Sequence, residues 1–493
     1  MRFFLILVLA CFSLAAHAAP KPDILFIMPD QWRGDCLSSV GHPVVSTPNL
    51  DQLARHGALF RRAYTTIPSC IPARHALLTG LFPQTSGMVG FRGRPITVPT
   101  LPQVLTQAGY FTALVGREMH QLPQKEPYGY QKLIRGTPYV GNDDYDEFLK
   151  KAAPDSGGIS NLIKTLGVSH NFWEAKPWPL AGDLHPTEWI VRQSRNLLKE
   201  TSPGQPLFLT VSFFTPHPPL YPPKKYFDAY LQKKLPPPAH GDWVDWAAFT
   251  PKGDKQGHRV LLQGDTLRAA QAGYFGLITH LDEQIAPLMA EFKARSQKAG
   301  RPWLIIFTTD HGEMLGDHGY FRKCEPYEGS ANIPFIVAGS PELGFKEGLR
   351  SQTPVCLEDI FPTLTDLAGI KTSTRLDGVT LTPVLRGEKT TREWLHLEHA
   401  PCYSKEQAFH ALTDGHFKYI WRPLDGTEQL FDLHRDPSEE HDLTKDVSQP
   451  ATLELWRNRL IQRLAQRPEG FTDGQKLIPG RPYPPLQTEK TVP

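Results

Sequence analysis

The clearest signal along the chain is an unbroken apolar run, Ile24-Leu25-Phe26-Ile27-Met28, closed by Pro29-Asp30-Gln31. A run with no polar alternation predicts a strand covered on both faces. Four further runs have the same character: Tyr110 to Val115, Leu207 to Phe214, Trp303 to Thr308 and Pro334 to Ala338. Between them the apolar spacing becomes helical. Thr47 is placed to cap one helix, Pro48 suits its first turn, Leu50, Leu53 and Ala54 share a face, and Gly57 can end it. The pattern repeats with Thr100 as cap, Val104 and Leu105 on the face and Gly109 as the stop, and a long helix is predicted from about Thr266 to Ala294. Strands alternating with helices predict an α/β fold on a large mixed, mostly parallel sheet flanked by helices. In such sheets ligands sit beyond the carboxyl ends of strands. Asp30, His217 and Asp310-His311 each follow a predicted strand, so they are candidates for one shared site.

The pattern changes after about residue 390. Ala408 to Trp421 holds two β-like runs around Asp414-Gly415, a hairpin signal. Glu428 to Leu433 reads as a strand and Leu453 to Ala465 as an amphipathic helix. A main domain over 20–388 is therefore expected, followed by a smaller antiparallel α+β subdomain over 389–493 with a proline-rich tail from Pro479. The start of the chain has a different logic. Arg2, the apolar stretch Phe3 to Leu14 and Ala16-His17-Ala18 fit a signal peptide over residues 1–18. Leu9 and the short run before Cys11 fit a lipoprotein signal poorly. The expected product is exported, periplasmic or secreted, and no later segment is apolar enough for a stable membrane span.

Composition narrows the function. A formal net charge of +2 over 493 residues lacks the basic excess of a nucleic-acid protein, so no nucleic-acid partner is expected. There are six cysteines. Losing Cys11 with the signal peptide would leave Cys36, Cys70, Cys324, Cys356 and Cys402. An odd cysteine in an exported chain points to a reactive or modified one. No C-x-x-C pair suggests zinc. Cys70 precedes a helical stretch, Ile71-Pro72-Ala73-Arg74-His75-Ala76-Leu77-Leu78-Thr79-Gly80. The start of a helix favours an anion, and Arg74 adds a positive charge about a turn away. On these grounds alone Cys70 reads equally as a buried thiol or as an activated thiolate.

The segment resembles the signature of the type I, formylglycine-dependent sulfatases of the alkaline phosphatase superfamily, C-x-P-S-R followed by a run ending in Thr-Gly. Ala73 replaces the serine. Three other blocks strengthen the likeness. Asp23 to Asp35 resembles the family's first metal-binding segment, Thr47-Pro48-Asn49-Leu50-Asp51 the block after it, and Phe307 to Gly319 the second metal segment. The resemblance implies an alkaline-phosphatase-like fold, with residues 20–388 as the sulfatase catalytic domain. It implies that a formylglycine-generating or sulfatase-maturating enzyme oxidises Cys70 to formylglycine. One hydroxyl of the hydrated aldehyde attacks sulfur, and the other later expels sulfate.

The resemblance further implies a metal held by Asp30, Gln31, Cys70, Asp310 and His311. The family usually uses one calcium ion. The oxygen-rich set also suits magnesium, and the histidine leaves room for manganese. The pairs Asp30-Gln31 and Asp310-His311 depart from the family's commonest pattern and resemble its choline-sulfatase and phosphonate-monoester-hydrolase branch. Lys323 stands where the family places a sulfate-binding lysine. Arg117 and His120 stand in place of a Gly-Lys-x-His segment, with arginine for lysine and one extra residue. His217 occupies the position of a histidine general acid or sulfate ligand. Arg74, Arg117, His120, His217 and Lys323 thus join Cys70 as catalytic candidates. Arg92 and Arg94 read as surface arginines near the site, Asp317 and His318 as residues orienting the metal loop, and Trp421 as a wall of the cleft. The leading expectation is hydrolysis of sulfate monoesters on a sulfated carbohydrate. The alternatives are a phosphonate monoester or phosphodiester hydrolase with the same nucleophile, and a catalytically silent exported glycan-binding protein.

Overall fold

The apolar runs assemble into one eight-stranded sheet. Its strands are β1 (Asp23–Asp30), β2 (Ala58–Phe60), β3 (Phe111–Gly116), β4 (Lys132–Arg135), β5 (Leu207–Pro216), β6 (Trp303–Thr308), β7 (Phe335–Gly339) and β8 (Leu349–Ser351). Their spatial order is β4-β3-β5-β1-β6-β7-β2-β8. Only β7 runs against the others, so the sheet is mixed and mostly parallel, as expected. The computed structural model describes residues 20–487, apart from 139, 140, 251, 255, 390, 391 and 447. The expected signal peptide over 1–18, with Cys11, lies outside the described residues.

The unbroken apolar run of β1 has a direct cause. Leu25 and Ile27 enter the core on one face of the sheet, while Ile24, Phe26 and Met28 enter the core on the other. The helices divide accordingly. On the first face lie α1 (Pro48–Arg55), through Leu50, Leu53 and Ala54, and two longer helices. On the second lie α2 (Cys70–Thr79) and α3 (Leu101–Gln107). The longer helices of the first face are α4 (Pro186–Glu200) and α5 (Gly264–Lys298). The expected helix from Thr266 is thus real, and somewhat longer than its apolar pattern.

The two expected caps differ. Thr100 closes a capping box with Gln103. Thr47 occupies the N-cap position of α1 but makes no side-chain cap bond. Its hydroxyl accepts instead from Ser38 N at 2.9 Å. The free N–H groups of α1 are taken by Asp282 of α5, which accepts from Asn49 N at 3.1 Å and Leu50 N at 2.8 Å. A buried carboxylate on a neighbouring helix does the work that a local hydroxyl was expected to do.

The carboxyl-terminal region forms a four-stranded antiparallel sheet in sequence order. Its strands are β9 (Leu395–His399), β10 (Phe409–Thr413), β11 (Phe417–Trp421) and β12 (Glu428–Asp432). Asp414-Gly415 makes the expected turn, with Gly415 at φ 77°. Helix α6 (Pro450–Leu464) covers one face of this sheet. The opposite face packs on the main domain through Ala411, Ile420 and Phe431 against Tyr64, Met314 and Tyr327. Trp421 is not a wall of the cleft. It is 1% exposed and sits with Trp456 and Phe471 on the α6 side, because its position on β11 points away from the main domain. The proline-rich tail wraps back, with Pro485 O accepting from Val89 N at 3.1 Å and Gln487 N donating to Gly87 O at 2.8 Å.

Replacing Asp282 with alanine should leave the first-turn donors of α1 without partners. A loss of about 1–3 kcal/mol is expected, read from urea unfolding, with Asp282→Asn retaining part of it. An Asp282→Ala protein as stable as the parent would refute this account of α1.

Candidate active site

The parallel order of β5, β1 and β6 brings three chain ends together. Asp30 closes β1 and is paired with Pro216 at the end of β5, and His217 N donates to Asp30 O at 3.2 Å. Asp310 and His311 follow β6, the other neighbour of β1. Arg117 leaves β3 at Gly116, where φ is 103° and a Cβ would lie 2.0 Å from Ser212 O, so the turn requires glycine. Helix α2 supplies Cys70 as its first residue, where the unpaired N–H groups of a helix start lie. Ala73, where the sulfatase signature has serine, is fully buried and belongs to the same apolar cluster as Leu77 and Leu101. That apolar setting suits a methyl group.

The carboxylates are arranged by arginines. Arg74 is fully buried and donates from Nε to Asp310 Oδ2 at 2.8 Å and from Nη2 to Asp30 Oδ2 at 3.0 Å. Arg117 makes a further ion pair with Asp30 Oδ2. Both Oδ2 atoms are therefore engaged by arginine, while the Oδ1 atoms face a common point, that of Asp310 also accepting from Gln31 N at 3.2 Å and His311 N at 3.1 Å. His311 Nε2 is 3.7 Å from each Oδ1 and 3.1 Å from Cys70 Sγ. His311 Nδ1 lies 2.9 Å from Gly312 O, so Nε2 is the nitrogen aimed at Cys70 Sγ and the two Oδ1 atoms. Burial would lower this imidazole, but Asp310 and Cys70 outweigh it and raise it above its ordinary value. Ligand atoms of Asp30, Cys70, Asp310 and His311 all lie within 4.8 Å of one another. Two carboxylate oxygens and an imidazole lone pair, with their other atoms tied down, fit a divalent cation.

The remaining candidates surround the same point. Lys323 Nζ donates to Gln31 Oε1 at 2.8 Å and lies 2.9 Å from Cys70 Sγ. His120 reaches the Cys70 thiol and its Nδ1 lies 3.2 Å from Arg117 Nη2. Burial would push the Cys70 thiol up, but Lys323, His311 and Arg117 outweigh it and hold the thiol well below its ordinary value. Burial, followed by the charges of Lys323 and Arg117, holds His217 well below the ordinary imidazole value. Its Nδ1 donates to Pro218 O at 2.6 Å.

The structure thus brings together Cys70, Asp30, Gln31, Arg74, Arg117, His120, His217, Asp310, His311 and Lys323. Arg94 donates to Gln487 O at 2.6 Å, in the carboxyl-terminal tail. Asp317 pairs with Arg33 at 2.7 Å, outside the metal-type cluster. Glu313 is a participant to which the sequence reading gave no part. Fully buried, it accepts from Leu315 N at 2.8 Å and Arg322 N at 2.5 Å, and from Gln31 Nε2, so it sets the orientation of the Gln31 amide. Its place three residues after Asp310 was the available signal.

Comparison with known proteins decides the family. The sulfatase family model matches residues 22–370. The chain belongs to the sulfatase family. A second model, the carboxyl-terminal region of N-sulphoglucosamine sulphohydrolase, matches residues 316–467 of this sulfatase. It is 35% identical to an arylsulfatase of Clostridium perfringens over 484 residues, covering 95% of this chain and 99% of that protein. It is 30% identical to a choline-sulfatase of Rhizobium meliloti, covering 89% and 86%. Among solved structures, a phosphonate monoester hydrolase of Agrobacterium radiobacter superposes with a TM-score of 0.75 at 25% identity, covering 90% of this chain and 96% of that one. The protein is therefore a sulfuric ester hydrolase of the alkaline phosphatase superfamily.

Removing the Arg74 guanidinium would leave two buried carboxylates with too little counter-charge. Arg74→Ala should cost about 3–5 kcal/mol, whereas Arg94→Ala should stay within about 1 kcal/mol. Denaturant unfolding of both variants checks the ranking, and equal costs would contradict the bridging role.

Proposed function

We propose that this sulfatase hydrolyses sulfate monoesters on a carbohydrate, using a formylglycine hydrate derived from Cys70 and one bound divalent ion, with calcium as the leading candidate. The observation that carries this reading is the position of Cys70. Its sulfur, which marks where the hydrate oxygens would stand, sits at the start of α2 within 3.1 Å of His311 Nε2 and 2.9 Å of Lys323 Nζ. When bound, the ion would supply Lewis-acid polarisation of the ester and of the attacking oxygen, held by Asp30, Asp310, His311 and Gln31. The hydrate would supply the attacking hydroxyl.

The chain's own residues do the rest. Lys323 and Arg117 present cations where negative charge on the sulfate grows as its bond breaks. Arg74 holds the two carboxylates and does not reach for substrate. In the free site His217 is neutral, because burial and facing cations disfavour its proton. A bound sulfate among those cations reverses that bias, so the His217 imidazole can protonate the leaving oxygen. Oxidation of Cys70 requires a formylglycine-generating or sulfatase-maturating enzyme. Export is supported by the pattern of residues 1–18. A carbohydrate substrate is supported by a relative, an ulvan-active sulfatase of Formosa agariphila, 26% identical over 441 residues.

A second reading is phosphonate monoester hydrolysis at the same site. It is favoured by the Asp30-Gln31 and Asp310-His311 pairs and by the likeness to the Agrobacterium hydrolase. The ratio of kcat/KM for aryl sulfate and aryl phosphonate monoesters separates the two, and a large preference for the phosphonate would overturn the first reading.

Mass spectrometry of protein matured in a competent host is expected to show an aldehyde in place of the Cys70 thiol. Retention of the thiol in a preparation that turns over sulfate esters would sink the proposed nucleophile. Chelation should abolish turnover, with calcium, magnesium and manganese then compared for its recovery. His217→Ala should lower kcat about 10²–10⁴-fold for esters with poor leaving groups and much less for nitrophenyl sulfate. Equal losses on both would remove His217 from the proton transfer.

A further inference from the structure

Behind Lys323 lies a second cluster that the reaction does not use. Cys324 Sγ is 3.1 Å from Cys402 Sγ, although the two residues are 78 positions apart. Cys324 is fully buried, whereas Cys402 is partly exposed at the end of the group. Cys324 belongs to the loop that delivers Lys323, and Cys402 to the segment after β9. Other contacts hold the same two segments together. Gln407 Nε2 donates to Lys323 O at 3.2 Å, and the Arg322 guanidinium lies 4.2 Å over the Tyr403 ring. Cys324 N donates to Pro68 O at 2.9 Å.

The loop backbone is left-handed on both sides of Lys323, at Arg322 (φ 76°) and at Cys324 (φ 71°). Non-glycine residues hold such angles only where their surroundings over-determine them. His399 reaches the Cys324 thiol. Its Nδ1 donates to Ala400 O at 2.5 Å, and its Nε2 accepts from Ser69 Oγ at 2.8 Å. The imidazole lies beside Cys324 with both of its nitrogens engaged. That disfavours the other chemistry open to two cysteines and a histidine, a thiolate metal site, which needs a free imidazole lone pair.

We propose that Cys324 and Cys402 form a disulfide that ties the loop carrying Lys323 to the segment following β9. The sulfurs need to close from contact to a bond of about 2.0 Å. In the balanced step, the exposed Cys402 thiolate attacks an external disulfide, either a protein oxidant or oxidised glutathione, and releases one thiol. Cys324 then attacks the mixed disulfide at the Cys402 sulfur, and its proton leaves with the second thiol released. The two cysteines lose two electrons and two protons, and the external disulfide is reduced to two thiols.

The test uses the full chain. Purified protein is incubated with oxidised glutathione, freed of it, denatured, alkylated with N-ethylmaleimide and digested without reductant. One peptide pair joining Cys324 to Cys402 is expected, lighter by two hydrogens than the two thiol peptides together. Cys36 and Cys356, which are buried and free, should be recovered alkylated. In Cys402→Ser, Cys324 should be recovered alkylated. Alkylation of both Cys324 and Cys402 in the parent protein would overturn the proposal. So would pairing of either with a different cysteine, or zinc bound stoichiometrically and lost in Cys402→Ser.

Discussion

Two carboxylates at the ends of neighbouring parallel strands are the constraint on which the rest depends. Asp30 and Asp310 are both fully buried, and their oxygens share a space less than 4.8 Å across. Left alone, two charges at that separation would repel by about 3–4 kcal/mol at an effective dielectric constant of ~20, on top of the cost of taking each from water. Arg74 resolves this by reaching across from α2, and in doing so it sets how α2 lies against the sheet. Cys70 occupies the turn before Arg74, so the arginine that neutralises the pair also delivers Cys70 to it. The position of the helix, the charge balance and the placing of the sulfur are one arrangement.

The carboxyl-terminal sheet is part of that arrangement, because it backs the segment between His311 and Tyr327. Lys418, buried on β11, pairs with Glu328 and Glu439 at 2.7 Å each. Arg422 pairs with Glu325 at 2.9 Å. Removing one partner from such a buried pair leaves an uncompensated charge. The carboxyl-terminal sheet is therefore joined to the loop after β6 by the Glu328 and Glu325 ion pairs as well as by the apolar contact around Tyr64, Met314 and Tyr327.

Much of this was legible in the chain because burial on two faces writes an unmistakable pattern. The runs at Ile24, Leu207 and Trp303 located the sheet, and the polar residues directly after them located the site. What stayed hidden depends on orientation in three dimensions. Arg74 could be read as a cation near Cys70, but not as a bridge between two carboxylates, since that requires knowing how α2 faces β1 and β6. A local reading gives the α1 cap to Thr47, whereas Asp282 supplies it from another helix. Strand β9 was missed because its short alternation of Leu395, His396, Leu397 and Glu398 looks half-exposed. In fact Arg467 and Tyr483 bury Glu398. The side to which Trp421 turns depends on strand parity, which is fixed only once its neighbours are known.

The burial of Cys70 has a consequence in time rather than in space. At 2% exposure, beneath Lys323 and at the floor of the site, its side chain is closed to any macromolecular catalyst once the chain has folded. An enzyme that edits this cysteine has to meet it as an extended peptide, before α2 docks on the sheet. Under the proposed modification, residues 70–80 would serve two readers in succession. The first would take them as a linear string of side chains, and the second is the fold, which coils the same string into a helix and shuts it away. The yield of modified protein would then depend on a race between editing and folding. A substitution that merely hastened the docking of α2 would lower activity while leaving every atom of the finished site in place.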